Sequence, residues 1–395
     1  MPNWRTRVRV NLAGLAAACL LAGPAASQST AEPAPPLFSE AGLAALENLM
    51  QTAIQDGRTT AATALLAQDD DILWLKTPGE MSPGIPMRDD AITPLASVGK
   101  MYTATAAMIL VERGRIAFDD PVSKYIPEYA QVSPEHPITV FHLLTHTSGL
   151  TVDGDEFWAA WDANTEKTTT TAMARALAEL PLVSQPGEQF EYGPTGASYE
   201  VLAAVIEIAS GQTLEDFMFE NIFRPLGLND TCFYLPPEKA KRKPAIYRKG
   251  DGALQLGRAQ DKPDIRSTYF YGGGGVQSSP RDVLKFARLF LHGGEVDGVR
   301  ILKPESVRQM MSDQLGAKAP ATFTWGFGAA IQKGPSGATA QYGWTGGGFA
   351  MLWVDPALDL VGYFTMPLTP PGDNDLLRDF RRLTYQAMAA RESGL

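Results

Sequence analysis

Cysteine and histidine are scarce in this chain, which has two cysteines and four histidines in 395 residues. A disulfide framework or a Cys/His metal centre needs several such residues at set spacings. No histidine lies in a His-Glu-x-x-His pattern, and Cys19 falls in a segment that we expect to be removed, which leaves Cys232 alone. We therefore predict no intrachain disulfide, no metal site and no cofactor.

The chain also lacks a net positive charge and several familiar motifs. The net charge is −10 and there is no basic block, so the sequence argues against a nucleic-acid partner. A Gly-x-Ser-x-Gly elbow is absent, which argues against a Ser-His-Asp hydrolase of the α/β type. The glycine run at 272–275 is not followed by Gly-Lys-Ser/Thr and is therefore no phosphate loop.

The first 27 residues have the pattern of a secretory signal peptide. Arg5, Arg7 and Arg9 precede an apolar stretch at 12–22, and Ala25-Ala26-Ser27 offers a small-residue cleavage site. Lipidation at Cys19 is an alternative, but the apolar stretch continues past that residue, which favours cleavage. We predict an exported, secreted or periplasmic protein with a flexible leader at 28–37. No later segment is apolar enough to predict a stable membrane anchor.

Hydrophobic periodicity predicts an α+β fold. Apolar residues at helical spacing and strand-like runs between turns indicate these elements: helices at 38–54, 101–113, 138–144, 168–180, 198–210, 213–222, 280–291 and 375–390, and strands at 61–67, 72–76, 325–331, 337–343, 349–355 and 360–366. This order predicts an antiparallel sheet built from both ends of the chain and flanked by the terminal helices. We expect a discontinuous sheet domain at 38–118 and 261–395, and a mainly helical domain at 119–260.

A serine and a lysine three residues apart open the helix predicted at 101–113. Residues i and i+3 share one helix face, so the Lys100 amine can reach the Ser97 hydroxyl. The amide groups at a helix N-terminus also favour a developing negative charge there. A nucleophile, a base and anion-stabilising groups can thus meet within one turn.

Two further stretches can complete such a site. Tyr192 lies in a short loop, where it is either a packed aromatic residue or a proton-transfer group beside an ammonium. Trp344-Thr345-Gly346 lies between two predicted strands, where it is either a plain hairpin turn or a backbone segment that approaches a substrate closely. His146, in a Thr/Ser/Gly turn, is interpreted as structural.

Taken in order, Ser97-x-x-Lys100, Tyr192 and Trp344-Thr345-Gly346 resemble the serine hydrolases of the class C β-lactamase type, which include family VIII carboxylesterases and D,D-peptidases. The resemblance covers about residues 40–390. It implies the β-lactamase/penicillin-binding-protein-like fold: an antiparallel sheet flanked by terminal helices beside an all-helical domain, with the cleft between them.

The resemblance also implies roles for individual residues. Ser97 is the acylated nucleophile, Lys100 takes its proton or holds Tyr192 partly ionised, and Tyr192 relays protons to the leaving group and to the deacylating water. The N–H groups of Ser97 and Gly347 form the oxyanion hole. The stretch that precedes Gly347 contacts the substrate through Trp344, Thr345 and Gly346.

Two departures from the family pattern bear on the substrate. Pro194 stands where the family has an asparagine, so that an amide side chain is missing. Trp344 stands where the family has lysine or histidine. β-Lactams and peptide C-termini carry a carboxylate that a cation at this position would bind. The absence of that cation should weaken the binding of such substrates by about 1.5–3 kcal/mol.

We therefore expect a serine hydrolase that cleaves small-molecule carboxylic esters, or amides, without a cofactor. The alternatives are a β-lactamase or D,D-peptidase, a penicillin-binding-like protein that acylates and stalls, and an acyltransferase. The sequence does not predict the acyl-chain length or the oligomeric state.

Overall fold

The computed structural model describes residues 37–150, 169–193, 197–260, 264–334 and 339–388. The predicted signal peptide and most of the leader therefore lie outside the described residues, as does Pro194. The helices are α1 (Glu40–Gln55), α2 (Gly99–Glu112), α3 (Val140–Leu144), α4 (Thr170–Leu177), α5 (Ala197–Ser210), α6 (Leu214–Met218), α7 (Arg224–Leu226), α8 (Pro280–Leu291), α9 (Pro304–Met310) and α10 (Asn374–Gln386). No helix within these ranges is both long and apolar enough to cross a bilayer.

A seven-stranded sheet dominates one side of the molecule, with strand order β11-β12-β13-β14-β15-β1-β2. Every neighbouring pair in this sheet is antiparallel. Its strands are β1 (Thr63–Gln68), β2 (Asp71–Lys76), β11 (Thr324–Trp325), β12 (Ala330–Lys333), β13 (Thr339–Gly346), β14 (Ala350–Asp355) and β15 (Leu360–Thr365). Because β1 pairs with β15, strands from the two ends of the chain meet within the sheet, as the element order predicted.

In the described part of the chain, four small two-stranded sheets lie outside this layer. They pair β3 (Glu80–Ser82) with β4 (Ile85–Pro86), β5 (Thr93–Pro94) with β8 (Gln277–Ser278), β6 (Ile246–Lys249) with β7 (Leu254–Arg258), and β9 (Glu295–Val296) with β10 (Val299–Arg300). The pair of β5 and β8 matters for the site. Pro94 stands opposite Gln277, and this register brings the chain just before α2 beside the chain that follows the glycine run.

The predicted strand at 325–331 is wrong, because two short strands replace it. A turn separates β11 from β12, and Gly328 has a φ of +94°. A Cβ atom at this glycine would lie 2.8 Å from Ala104 Cβ and 3.0 Å from the Lys100 carbonyl oxygen. The turn thus packs directly on α2, which a continuous strand cannot do.

The remaining elements follow the predictions with shifted ends. The helix predicted at 213–222 is α-helical only to Met218 and continues as a π-helical turn, Phe219–Phe223. The predicted ends at residues 168, 337 and 390 lie outside the described residues. One cluster of buried side chains extends from the sheet into the helical region. The predicted domain boundaries remain a prediction.

Candidate active site

Ser97 lies on a single 3₁₀ turn, Ala96–Val98, that leads directly into α2. Ala96 has a φ of +44°, a conformation that non-glycine residues rarely adopt. Two glycines let other backbone segments close on this turn. A Cβ atom at Gly346 would lie 2.3 Å from the Leu95 carbonyl oxygen, and one at Gly274 would lie 2.8 Å from the Ala96 carbonyl carbon. The nucleophile candidate is therefore held on a strained turn between two glycine-bearing segments.

Lys100 is buried, with 1% of its surface exposed, and its ammonium has two acceptors. Nζ donates to Ser97 Oγ at 2.9 Å and to the Gly273 carbonyl oxygen at 2.8 Å. The ring of Tyr192 lies 5.1 Å from Nζ and that of Tyr199 lies 5.8 Å away, so two aromatic faces also surround the cation. The predicted contact between Ser97 and Lys100 is present in the structure.

The Tyr192 hydroxyl has a different partner from the one suggested by the predicted Lys–Tyr pair. Its oxygen accepts a hydrogen bond from Trp344 Nε1 at 2.7 Å. Within the described residues it makes no hydrogen bond to Ser97 or Lys100, and Lys100 faces the ring instead. Because the phenolic oxygen is acting as an acceptor, its own hydrogen is free to be donated elsewhere.

Trp344, Thr345 and Gly346 form the end of β13, an internal strand of the large sheet. Trp344 stands opposite Leu352 on β14, and Gly346 stands opposite Ala350. A Cβ atom at Gly346 would be 3.0 Å from the Ser97 amide nitrogen, so this strand end abuts the nucleophile turn. Gly347 follows with a φ of +55°, which favours glycine. The predicted substrate-binding stretch and the serine turn are thus adjacent.

Aromatic side chains form a wall around Tyr192 and Trp344. We name this set the aromatic wall; its members are Phe190, Tyr192, Phe323, Trp325 and Trp344. The rings of Trp325 and Trp344 meet edge to face at 4.8 Å between centroids. The Trp325 indole is anchored because Nε1 donates to the Leu144 carbonyl oxygen at 3.2 Å. A substrate group that enters here meets apolar surface.

His146 lies beneath this wall and is buried, with a φ of +54°. Its carbonyl oxygen accepts from the Glu191 N–H at 2.8 Å, which fixes the segment that carries Tyr192. Its ring is 4.7 Å from that of Tyr192 and 4.9 Å from that of Tyr199. Burial, together with the charge of Lys100, holds the pKa of His146 well below its usual range. The imidazole is therefore neutral, in keeping with a structural role.

Glu200 is the residue of this region that the sequence interpretation missed. It is fully buried, and it accepts hydrogen bonds from the Gly273 N–H at 2.8 Å and from Tyr269 Oη at 2.6 Å. Burial raises the pKa of Glu200 to about 8, although these donors and the charge of Lys100 act in the opposite direction. The available signal was a carboxylate beside Tyr199 in an otherwise apolar stretch of α5.

The described residues contain one group that could hold a metal ion, and it lies at the surface. Ligand atoms of Asp69, Asp70 and His292 come within 4.8 Å of one another, and all three side chains are exposed. Asp70 already pairs with Arg288. An exposed, partly neutralised group of this kind is not assigned as a metal site.

Comparison with known proteins identifies the chain's relatives. The model of the family described as Beta-lactamase matches residues 46–386. Esterase EstB of Burkholderia gladioli is 30% identical over 361 residues, which cover 81% of this chain and 89% of EstB. Protein Rv1367c of Mycobacterium tuberculosis is 30% identical over 345 residues, covering 77% and 85% of the two chains.

The fold also has close counterparts among solved structures. EstCE1, described as a hydrolase with promiscuous acyltransferase activity, superposes with a TM-score of 0.73 at 22% identity. The match covers 87% of this chain and 99% of EstCE1. At this level of identity, the similarity establishes the fold.

Proposed function

Since this chain belongs to the β-lactamase family of serine hydrolases, we propose that it cleaves carboxylic esters through an acyl-enzyme formed on Ser97. The observation that carries the proposal is the 2.9 Å contact between Lys100 Nζ and Ser97 Oγ. A nucleophilic serine needs a proton acceptor within hydrogen-bond reach, and Lys100 is the titratable side chain that makes this contact.

In the acylation step Lys100 acts as the neutral amine. Ser97 Oγ attacks the ester carbonyl carbon while its proton passes to the lone pair of Lys100 Nζ, which becomes the ammonium. The carbonyl oxygen becomes an oxyanion, and we assign its stabilisation to the N–H groups of Ser97 and Gly347. The close approach of the β13 end to the serine turn supports this pairing, because Gly346 abuts the Ser97 amide. Collapse of the intermediate then breaks the bond to the leaving alcohol.

The leaving alkoxide needs a proton, and we assign its delivery to Tyr192. The Tyr192 oxygen accepts from Trp344 Nε1, so the hydroxyl hydrogen is available for donation. The same residue then activates the water that hydrolyses the acyl-enzyme. Lys100 then returns its proton to Ser97 Oγ as that oxygen leaves the acyl group, which restores the starting protonation states.

Trp344 favours an ester over a β-lactam or a peptide C-terminus. An indole presents one N–H and an apolar face but no positive charge, and the N–H is already donated to Tyr192. A substrate carboxylate therefore finds no charge-assisted bond at this position, whereas an uncharged ester loses nothing. The neighbouring aromatic wall is suited to an apolar acyl or alkyl group.

Export remains part of this proposal. The signal-like pattern at residues 1–27 supports a secreted or periplasmic location. Fractionation of cells that express the full chain, with N-terminal sequencing of the product, tests it: a product that starts at Gln28 supports export, and an uncut product in the cytoplasm contradicts it.

The function is tested with Ser97→Ala, with Ser312→Ala as the matched control because Ser312 is an exposed serine. We expect Ser97→Ala to abolish both p-nitrophenyl butyrate hydrolysis and fluorophosphonate labelling, and the control to retain both. Labelling that persists in Ser97→Ala contradicts the assignment. Nitrocefin cleavage at a rate comparable to ester hydrolysis favours the β-lactamase alternative instead.

A further inference from the structure

A buried carboxyl group is linked to Lys100 through Gly273, which bonds both. Glu200 is in the first turn of α5 and is fully buried. Its Oε1 accepts from the Gly273 N–H at 2.8 Å, and its Oε2 accepts from Tyr269 Oη at 2.6 Å and from the Gly272 N–H at 3.3 Å. Three donors thus compensate for the loss of water around this group.

The donors Gly272 and Gly273 belong to the segment that also holds side chains of α2. The Gly273 carbonyl oxygen accepts from Lys100 Nζ at 2.8 Å, and the Gly272 carbonyl oxygen accepts from Thr103 Oγ1 at 2.7 Å. Each glycine therefore bonds Glu200 through its N–H and α2 through its carbonyl. The segment is fixed between the two helices.

The fit leaves no spare room. A Cβ atom at Gly273 would lie 3.0 Å from Glu200 Oε1 and 3.1 Å from the Tyr271 ring. A side chain at residue 273 would therefore press on the carboxyl group that accepts from its N–H.

We propose that Glu200 is a positioning residue: by fixing the Gly272–Gly273 segment, it sets Lys100 Nζ against Ser97 Oγ. The inference rests on the proposed function, since the position of Nζ matters for the reaction only if Lys100 takes the serine proton. Within the described part of the chain, Glu200 itself makes no hydrogen bond with Ser97. A base displaced by about 1 Å can slow a reaction by about 100-fold.

The carboxyl group can hold the segment in either protonation state. When neutral, Oε2–H donates to Tyr269 Oη while Oε1 still accepts from Gly273. Glutamine reproduces most of this arrangement: its Oε1 accepts from the Gly273 N–H and its Nε2 donates to Tyr269 Oη, whereas the longer bond from the Gly272 N–H is lost. Glu200→Gln therefore keeps the contact, and Glu200→Ala removes it.

The experiment compares these two variants in p-nitrophenyl butyrate hydrolysis. We expect Glu200→Ala to lower kcat by about 100-fold with KM within about threefold of wild type, and Glu200→Gln to recover kcat to within about tenfold of wild type. The matched control is Glu207→Ala, seven residues along α5, where the carboxylate accepts from the Leu214 N–H at 3.0 Å. It should lower stability but leave kcat of the folded enzyme within about threefold of wild type.

Gly273→Ala perturbs the same hydrogen bond at its donor residue. It serves as the test of the proposal if Glu200→Ala does not fold. Its methyl group displaces the carboxyl group, so kcat should fall with KM retained. Wild-type kcat in Gly273→Ala or in folded Glu200→Ala overturns the proposal, as does an equal loss of kcat in Glu200→Ala and Glu207→Ala. Ser97→Ala, assayed in parallel, separates the two inferences. If Ser97→Ala is active, the proposed function is refuted. If Ser97→Ala is inactive and Glu200→Ala keeps wild-type kcat, only the role of Glu200 is refuted.

Discussion

Replacement of Trp344 by phenylalanine tests how the site delivers a proton to the leaving alcohol. The indole Nε1 donates to Tyr192 Oη at 2.7 Å, and the two rings lie 5.0 Å apart. Phenylalanine keeps an aromatic ring in this place but removes the donor. The variant therefore isolates the hydrogen bond from the apolar surface.

The magnitude follows from the charge on the Tyr192 oxygen. A hydrogen bond between neutral groups contributes about 0.5–1.5 kcal/mol, and one to a charged group about 1.5–3 kcal/mol. Only the difference between transition state and ground state changes the rate. In the proposed mechanism Tyr192 Oη gains negative charge as its proton leaves, so the difference is about 1–1.5 kcal/mol, or roughly 5- to 12-fold in rate.

The choice of ester makes this prediction specific. An alkoxide is strongly basic and needs the proton, whereas p-nitrophenolate leaves without one. We expect Trp344→Phe to lower kcat/KM for ethyl butyrate by about tenfold and for p-nitrophenyl butyrate by less than about twofold. A pH-stat follows the first substrate and absorbance the second. Because kcat/KM reports only the steps up to acylation, the shared deacylation step does not obscure the comparison.

Trp353→Phe is the matched control. Trp353 Nε1 donates to Tyr385 Oη at 3.1 Å, so this variant also removes an indole donor from a tyrosine oxygen. We expect its kcat/KM values to remain at wild-type level for both esters. Equal losses for the two esters in Trp344→Phe, or the same loss in Trp353→Phe, would refute the assignment of Tyr192 as the donor to the leaving group.

Three further predictions concern the base, the substrate and the fold. Lys100→Met should lower kcat by about 10²–10⁴-fold, measured with p-nitrophenyl butyrate, because the proton acceptor is lost; an active variant contradicts its role as base. Trp344→Lys should raise the ratio of nitrocefin to ester kcat/KM by about 10–100-fold, since a carboxylate gains a charge-assisted bond; an unchanged ratio contradicts the specificity argument. Burial raises the pKa of Asp373, but hydrogen bonds from Arg58 and a helix amide outweigh it and hold the pKa at about 2. Because the pKa of Asp373 is lower in the folded protein than in the unfolded chain, where it is about 4, the ionised carboxylate stabilises the folded protein at pH values above about 4. This stabilisation is lost as the pH falls toward 2. Urea unfolding should therefore show Asp373→Asn less stable than wild type by about 2 kcal/mol at pH 7 but not at pH 2, and the exposed Asp375→Asn unchanged at both; a difference that persists at pH 2 contradicts the argument.

The parts of the site that sequence predicts are those set by local geometry. Ser97 and Lys100 are one turn apart, so their contact follows from helix spacing alone. Tyr192 and Trp344 are 152 positions apart, and only the resemblance to a family could bring them together. That resemblance indicated that the two residues share a site, but not that the indole donates to the phenol. The actual partner depends on side-chain directions at the end of β13, which sequence spacing does not specify.

The support around Lys100 was beyond prediction for the same reason. Gly273 is 173 positions from Lys100 and 73 positions from Glu200. It bonds both residues through its backbone N–H and carbonyl groups, and such bonds produce no recognisable sequence pattern. From the residues alone the glycine run could be said only not to be a phosphate loop, and the family resemblance gave its glycines no role. In the structure, the backbone at Gly273 passes between the Glu200 carboxyl group and Lys100 Nζ, where a Cβ atom would be crowded. This use of a glycine follows from the packing of α2 against α5, which the sequence does not specify.

The exchange of a family lysine or histidine for Trp344 changes the balance of charge in the whole site. With a cation at position 344, negative charge that develops on the tyrosine oxygen can be stabilised both by that cation and by Lys100. Here position 344 supplies only an N–H dipole, and Lys100 faces the ring rather than the oxygen. Lys100 in turn has a carboxyl group, Glu200, one glycine away from its ammonium. The two features act together. A neutral Trp344 offers no attraction to an anionic substrate, and Lys100, buried among Ser97, Gly273 and aromatic faces, serves the proton transfer with Ser97. A site so arranged is better suited to an uncharged ester than to a substrate that brings its own carboxylate.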